Sequence, residues 1–320
     1  MFEYRSAGRV YNTGKQLLFI EGLCLDIGGR AFNKAVPFTL RLLSKFSLFA
    51  RIFRLSYDAV FELNNDETVV FLNKKLFIIN SSNEVKTIAL KHKILGAYSD
   101  GESVYFGDYF GNSNRERVSV HMYSEGKISI LWTFLPGEVR HIHNVIPYKE
   151  FLLILTGDYG DECAVFMYNF SSQYMCVVTI GDQLCRYVTG VVENDYLITA
   201  TDSHIAQNYT VTVNLKTGTR RLGQMLPGPV FDIVKDGKSF YLTTVVEKSN
   251  FNLSDYVEFH RSSNGIDWIF VSKWKKDIYP KTFHKFTQFN RVFLASLNGN
   301  VYLSFLGITN KDNKIFKLCK

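Results

Sequence analysis

Residues 59–90 read AVFELNNDETVVFLNKKLFIINSSNEVKTIAL. Four runs stand out: AVFEL, TVVFLN, KLFIIN and VKTIAL. Each is about five residues long, rich in Val, Ile, Phe and Leu, and bounded by Asn, Asp or Ser, the pattern of short strands joined by hairpins. NND, NKK and SSNE supply the turns. The layout then recurs down the chain. Residues 93–134 give KILGAYSD, SVYFGDY, RVSVHMY and KISILWTF. Residues 140–180 give RHIHNVIPY, FLLILTGDY, CAVFMYN and MCVVTI. Residues 186–225 give RYVTGVVEN, YLITATDS, YTVTVNL and TRRLGQM. Residues 229–274 give PVFDIVKDG, SFYLTTVVE, YVEFHRS and WIFVSKW. Residues 283–319 give FHKFTQFN, RVFLASLN, NVYLSFLG and KIFKLC. Sequential four-stranded units of about 40–50 residues predict an all-β propeller, because radial repetition leaves only short sheet edges. The expectation is about six blades, five or seven also being compatible. It places the propeller over residues 57–320, after an N-terminal helix-containing extension over 1–56.

Composition agrees with sheet. Of the 320 residues, 15% are aromatic and six are Pro; aromatic and β-branched side chains suit a pleated, half-buried surface. The apolar share of 46% excludes a disordered chain. The formal charge is +7, but its basic residues are scattered and form no stripe interleaved with aromatics. Nucleic acid is therefore not an expected partner. The five cysteines (Cys24, Cys163, Cys176, Cys185, Cys319) show no CxxC pair. They read as free thiols, and the N-terminus shows no signal-peptide core, so a cytoplasmic location is expected.

Residues 37–55, PFTLRLLSKFSLFARIFRL, differ from the rest. Arg41 and Lys45 are four apart, Arg51 and Arg54 three apart, with Leu42, Phe46 and Phe49 between them at helical spacing. This predicts a basic amphipathic helix, either packed on the propeller with its cations in water or making a peripheral membrane contact.

Arg261–Trp268 reads RSSNGIDW. It resembles a degenerate Asp-box, the S-x-D-x-G-x-T-W turn between the third and fourth strands of sialidase-type (BNR-like) blades. Gly265 and Trp268 hold the matching places, while Arg261, Ser263 and Asp267 replace the Ser, Asp and Thr. Tyr123–Trp132 is a looser echo. The resemblance implies the sialidase-like propeller fold and points toward carbohydrate chemistry, although Asp-boxes also occur in non-enzymes.

Aligning the second strands of the units brings out the candidate site. Their ends read YFGDYFG, LTGDYGD, TATDSHI and TTVVEKS, each delivering one acid: Asp108, Asp158, Asp202 and Glu247. Equivalent strand ends share one face of a disc, so these acids are expected at one mouth of the central channel. The first strands begin with Lys93, with Arg140-His141-Ile142-His143, with Arg186 and with His284-Lys285. His141 and His143 alternate and therefore share a face. Clustered carboxylates push one pKa up, and neighbouring Arg lowers others, which separates an acid from a base. Arg140 and Arg186 could grip a substrate carboxylate. Tyr109 and Tyr159 could stack on a sugar ring or donate a proton.

Two function classes follow. One is a carbohydrate-active enzyme on an acidic oligosaccharide or polysaccharide. As a glycosidase it would use Asp158 or Asp202 as acid and Glu247 or a Tyr as nucleophile. As a polysaccharide lyase it would use His141, His143 or Tyr159 as base. Asp108, Tyr109 and Lys93, with the two arginines, would bind substrate. The other is a non-catalytic propeller that binds a protein or glycan partner. No cofactor is required, but a divalent metal at His141 and His143 is a further reading of the RHIH spacing, with Asp158 or Asp202 completing the set. Cys185 could act as a nucleophile near His143, or be simply buried.

Overall fold

The computed structural model describes residues 1–27, 30–31, 36–279 and 289–319. The chain opens with β1 (Phe2–Ala7), the hairpin β2 (Arg9–Asn12) and β3 (Leu17–Ile20), and the short pair β4 (Asp26–Ile27) and β5 (Arg30–Ala31). Helices α1 (Phe38–Ser44) and α2 (Ser47–Phe53) follow. Five four-stranded meanders come next. The first is β6 (Ala59–Glu62), β7 (Thr68–Leu72), β8 (Lys75–Ile79) and β9 (Val85–Ala89); the second β10 (Ala97–Ser99), β11 (Val104–Gly107), β12 (Val118–Ser124) and β13 (Lys127–Phe134). The third is β14 (Ile142–Tyr148), β15 (Phe151–Thr156), β16 (Cys163–Asn169) and β17 (Tyr174–Gly181); the fourth β18 (Gly190–Glu193), β19 (Tyr196–Ala200), β20 (Asn208–Asn214) and β21 (Arg220–Leu226). The fifth is β22 (Val230–Asp236), β23 (Ser239–Thr244), β24 (Tyr256–Ser262) and β25 (Trp268–Lys275).

The sixth sheet departs from the expected order. Its strands run β26 (Arg291–Leu297), β27 (Asn300–Leu306), β28 (Lys314–Leu318) and then β1 from the opposite end of the chain. FHKFTQFN, expected as its first strand, lies almost wholly outside the described residues, and so do His284 and Lys285. The expected boundary at residue 56 is therefore crossed by a sheet: Phe2 registers with Leu318 and Tyr4 with Phe316.

All pairings within these sheets are antiparallel and join successive strands, β1 excepted, which is the propeller-blade pattern. The turns explain why the hairpins close where they do. Glu125-Gly126 and Asn298-Gly299 each place two successive residues at positive φ, as two-residue hairpin turns require. Between neighbouring blades the apolar faces meet in discrete clusters. Val69, Phe71 and Leu76 of the first blade pack on Phe106 and Tyr123 of the second. Leu153 and Val165 of the third pack on Leu197 and Val213 of the fourth. A lone blade would leave both faces wet, so the ring is what removes this apolar surface from water.

The β2–β3 hairpin fills the place between the sixth and first blades. On one side, the Asn12 side-chain amide donates to Ser296 O at 2.8 Å, and Val10 N–H to Ser304 Oγ at 2.9 Å. On the other, Glu62 N–H donates to Thr13 O at 3.1 Å. Tyr11, Leu18 and Ile20 share a core with Val60, Val70 and Phe77 of the first blade. The hairpin thus stands as a two-stranded seventh segment of a ring whose six other sheets are complete.

Residues 37–55 correct the sequence expectation twice. The single helix is two, broken at Lys45–Phe46. One of its cations also departs from the expected face: Arg51 is buried and ion-paired with Asp277, while Lys45 is exposed beside the exposed Phe46, Phe49 and Phe53.

The turn after β24 stands between third and fourth strands, where the Asp-box resemblance puts it. Ser262 Oγ accepts from Gly265 N–H at 2.9 Å, and Trp268 is buried against Ile198 and Leu242. Gly265 has φ +74°, and a Cβ there would lie 2.2 Å from Ile198 Cδ1. Gly265→Ala should lower stability by about 1–2 kcal/mol, read as a loss in the denaturant midpoint at unchanged slope.

Candidate functional site

Three of the four strand-end acids meet at the axis. Asp158, Asp202 and Glu247 line one cavity of about 590 Å3, together with Arg140, His141, His143, Arg186, Lys93 and Tyr109. Repeated backbone registers bring this about. In the second blade Tyr109 N–H donates to Lys93 O at 2.8 Å; in the fourth, Asp202 N–H donates to Arg186 O at 2.9 Å. Each bond ties the residue beyond the second strand to the start of the first strand of its own blade. Beside it, a bulge between Ile142 and Asn144 re-aims the start of β14. Gly157, at φ +134°, sits so close to Cys163 that a Cβ would lie 2.7 Å from its Cα. That close passage delivers Asp158 to the centre.

Asp158 is the hub. Its carboxylate lies 3.0 Å from Arg140, 3.2 Å from Arg186, 3.3 Å from His141 Nε2 and 3.5 Å from His143 Nε2. Arg186 also reaches Asp202 at 3.3 Å and donates to His204 Nδ1 at 3.1 Å. Burial works against ionisation of Asp158, but its close contacts outweigh it and hold its pKa well below the usual carboxylate range; Arg140 and Arg186 are the two cations in ion-pair reach of it. Asp202, 2% exposed, behaves in the opposite way. Burial pushes it up to about 7, Arg186 opposes the rise, and Glu247 and Asp158 add to it. Its Oδ1 has no hydrogen-bond partner among the described residues. Burial also lowers His143 to about 4, so its ring is neutral at pH 7. Tyr109, 4.5 Å from the His141 ring, is held protonated, first by burial and then by Asp158 and Asp202.

Two expected site residues lie elsewhere. Asp108 does not join the cluster, because it stands one residue before the axial position, which Tyr109 holds in this blade; its carboxylate binds His121 Nε2 at 3.1 Å and accepts from Ser119 N–H at 2.9 Å. Tyr159 is 41% exposed and stands at the rim, its ring 5.5 Å from the Arg140 guanidinium, a cation–π contact rather than a place in the cavity. Cys185 is buried away from the cavity against Arg220 and Thr179, and burial raises its thiol pKa, so it is no nucleophile.

The sequence reading missed His204, Arg54, Lys74, Phe231 and Phe289, which also line the cavity. His204 is two residues beyond Asp202, a signal that was present. Arg54 caps α2 in the left-handed region, and its place in the pocket depends on how the N-terminal segment folds back.

No family model matches the chain, and no curated protein matches it. Among solved structures, it is similar to a chain of a nidogen/laminin complex, at 10% identity and a TM-score of 0.51, over 75% of this chain and 85% of that one. A TolB structure from Agrobacterium tumefaciens gives 9% identity and a TM-score of 0.46, over 69% and 82%. The protein is a β-propeller. The likeness to sialidase-type blades remains one of turn sequence and turn position.

Proposed function

We propose that this protein is a binding propeller whose axial pocket captures an anionic group of its partner. The observation that carries the reading is charge. Among the described residues, the lining of one cavity holds the cations Arg54, Lys74, Lys93, Arg140 and Arg186 and the acids Asp158, Asp202 and Glu247. Burial raises Asp202 to about 7, so near pH 7 it carries only part of its charge, which tilts the balance further toward cations. Phe231, Phe289 and Val188 supply apolar walls, so the pocket suits a carboxylate on a ring or apolar body, such as an acidic sugar or an acidic side chain. Acidic oligosaccharides and acidic peptides should raise the melting temperature, and their neutral counterparts should not. Added salt should weaken the effect. Arg140→Ala should reduce affinity by about 10- to 100-fold, since it removes a charge-assisted hydrogen bond. Equal binding of neutral ligands would sink the proposal.

One observation favours the enzymatic reading. Asp158 and Asp202 are split, one held ionised and the other pushed up to about 7, as an acid and a base must be. Assaying the same acidic oligosaccharides for new reducing ends and for an unsaturated product tests it. Silence in both leaves the binding reading alone. The peripheral membrane contact proposed for residues 37–55 now rests on exposed Phe46, Phe49 and Phe53, and Phe49→Ser should reduce co-sedimentation with anionic vesicles.

A further inference from the structure

The two histidines present an arrangement that neutral imidazoles cannot satisfy by themselves. His141 Nδ1 lies 3.1 Å from Phe110 O, and His143 Nδ1 lies 2.8 Å from Tyr187 O. A carbonyl oxygen only accepts, so each Nδ1 carries its ring's proton. Both Nε2 atoms are then bare lone pairs, and they face each other at 3.1 Å. Asp158 Oδ1, also an acceptor, closes the triangle at 3.3 and 3.5 Å. Three acceptors converge on one point without a donor among them, on rings only 4% and 2% exposed. A cation at that point satisfies all three at once.

We propose that His141, His143 and Asp158 form a three-ligand site for a divalent transition metal, with zinc the best fit. The dimensions support this. Zinc–ligand bonds of about 2.0–2.1 Å set tetrahedral ligand atoms about 3.3 Å apart, and the triangle's edges are 3.1, 3.3 and 3.5 Å. An octahedral face with bonds of the same length spaces its atoms more closely, and magnesium avoids imidazole. The Nδ1–H bonds to backbone carbonyls are the outer contacts that fix ring orientation in histidine metal sites. Asp158 keeps lone pairs for Arg140 and Arg186 while offering one to the ion.

Three protein ligands leave the fourth tetrahedral position to a water or a ligand group. The cavity of about 590 Å3 is lined by the same three residues, so that position has room. Asp202 lies outside the triangle, but it shares the cavity wall and its Oδ1 is unpaired and buried. It is the group available to accept a hydrogen bond from a water on the ion. A metal beside Arg140 and Arg186 also strengthens the pull on an anion, so this inference deepens the proposed function. It does not depend on it, because metal uptake is measured with no anionic ligand present.

The experiment uses the full chain, stripped with a chelator and titrated with zinc by calorimetry, with cobalt as a spectroscopic probe. The expected result is one equivalent bound per chain with proton release, and the intense visible bands of tetrahedral cobalt. His143→Gln and His141→Gln should each weaken zinc binding by at least ~100-fold, since loss of a ligand exceeds loss of an outer-shell partner. Unchanged near-ultraviolet circular dichroism of both variants shows that the propeller still folds. No uptake by the folded wild type would overturn the proposal and leave a shared proton as the occupant of the triangle. Undiminished uptake by both His variants would overturn it too. Zinc uptake without any affinity for acidic ligands would refute the binding proposal alone.

Discussion

Deleting residues 1–7 should lower the melting temperature by about 5–10 °C and expose a sticky edge. The deletion removes β1, the fourth strand of the last sheet, and uncovers β28 along the pairing from Phe2↔Leu318 to Ala7↔Lys314. The ring of Phe2 also leaves its edge contacts with Phe259, at 5.9 Å, and Trp274, at 5.4 Å. The lost ladder bonds and the uncovered apolar surface together are on the order of 5 kcal/mol, and in a chain of this size each kcal/mol moves the midpoint by about 1–2 °C. Closure adds to this, because β1 joins the two chain ends within one sheet, and its loss frees the seventh segment β2–β3 to drift from the sixth blade. Calorimetry gives the midpoint, and size-exclusion chromatography gives the second consequence. An unpaired β28 is a template for another chain, so the truncated protein should form oligomers that a peptide of residues 1–8 suppresses. A monomer with the wild-type midpoint would show that β1 is ornamental.

That clasp is the part of the fold least visible to a reader of sequence. Local pattern found the strands of the five central sheets because hairpins are closed by their own turn residues, such as Glu125-Gly126, and the alternation has a period of two. Nothing local announces that FEYRSA pairs with KIFKL some three hundred positions away. The same limit explains the helical segment. Its spacing is helical, but Arg51 turns inward because Asp277, 226 residues on, receives it. The site divides along the same line. Asp158, Asp202 and Glu247 were legible because equivalent strand ends of successive blades face one axis. Asp108 stands one position short of the equivalent place, which Tyr109 holds: Tyr109 N–H bonds Lys93 O as Asp202 N–H bonds Arg186 O, while Asp108 N–H pairs with Ser119 O as Thr201 N–H does with Tyr209 O. In a strand a shift of one residue turns the side chain to the other face, and there Asp108 meets His121.

Arg186→Met should be the most damaging single change in the site, and its damage should grow with pH. Arg186 lies 3.2 Å from Asp158 and 3.3 Å from Asp202, and is itself 9% exposed. Removing one member of a buried ion cluster leaves the others uncompensated, at a cost of about 3–5 kcal/mol. The two acids respond differently. Asp158 retains Arg140 at 3.0 Å. Asp202 loses the one ion-pair partner it has among the described residues, where its Oδ1 is already unpaired. In the wild type Asp202 titrates near 7, above its ordinary 3.8, so the native state holds a proton that the unfolded chain has released. Its stabilising contribution is therefore complete below about 3.8 and disappears as pH rises through 7. Without Arg186 the native pKa climbs further and the loss extends into the alkaline range. In the wild type His143 runs the other way: its native value of about 4 lies below its ordinary 6.5, so its contribution is present above 6.5 and lost as pH falls through 4. Arg186 contributes to that lowering, so its removal relaxes the shift and narrows the acid-side gap further. The gap in melting temperature between wild type and Arg186→Met should thus be small at pH 5 and widest at pH 9. Adding Asp202→Asn should close most of the alkaline gap, because it removes the charge left without a partner, a coupling that a double-mutant cycle reads directly. Binding of acidic ligands should stay lost in the double variant, since the guanidinium is still missing. A gap of equal size at pH 5 and pH 9 would mean that Arg186 acts through packing, and the electrostatic account of the axial cluster would fail with it.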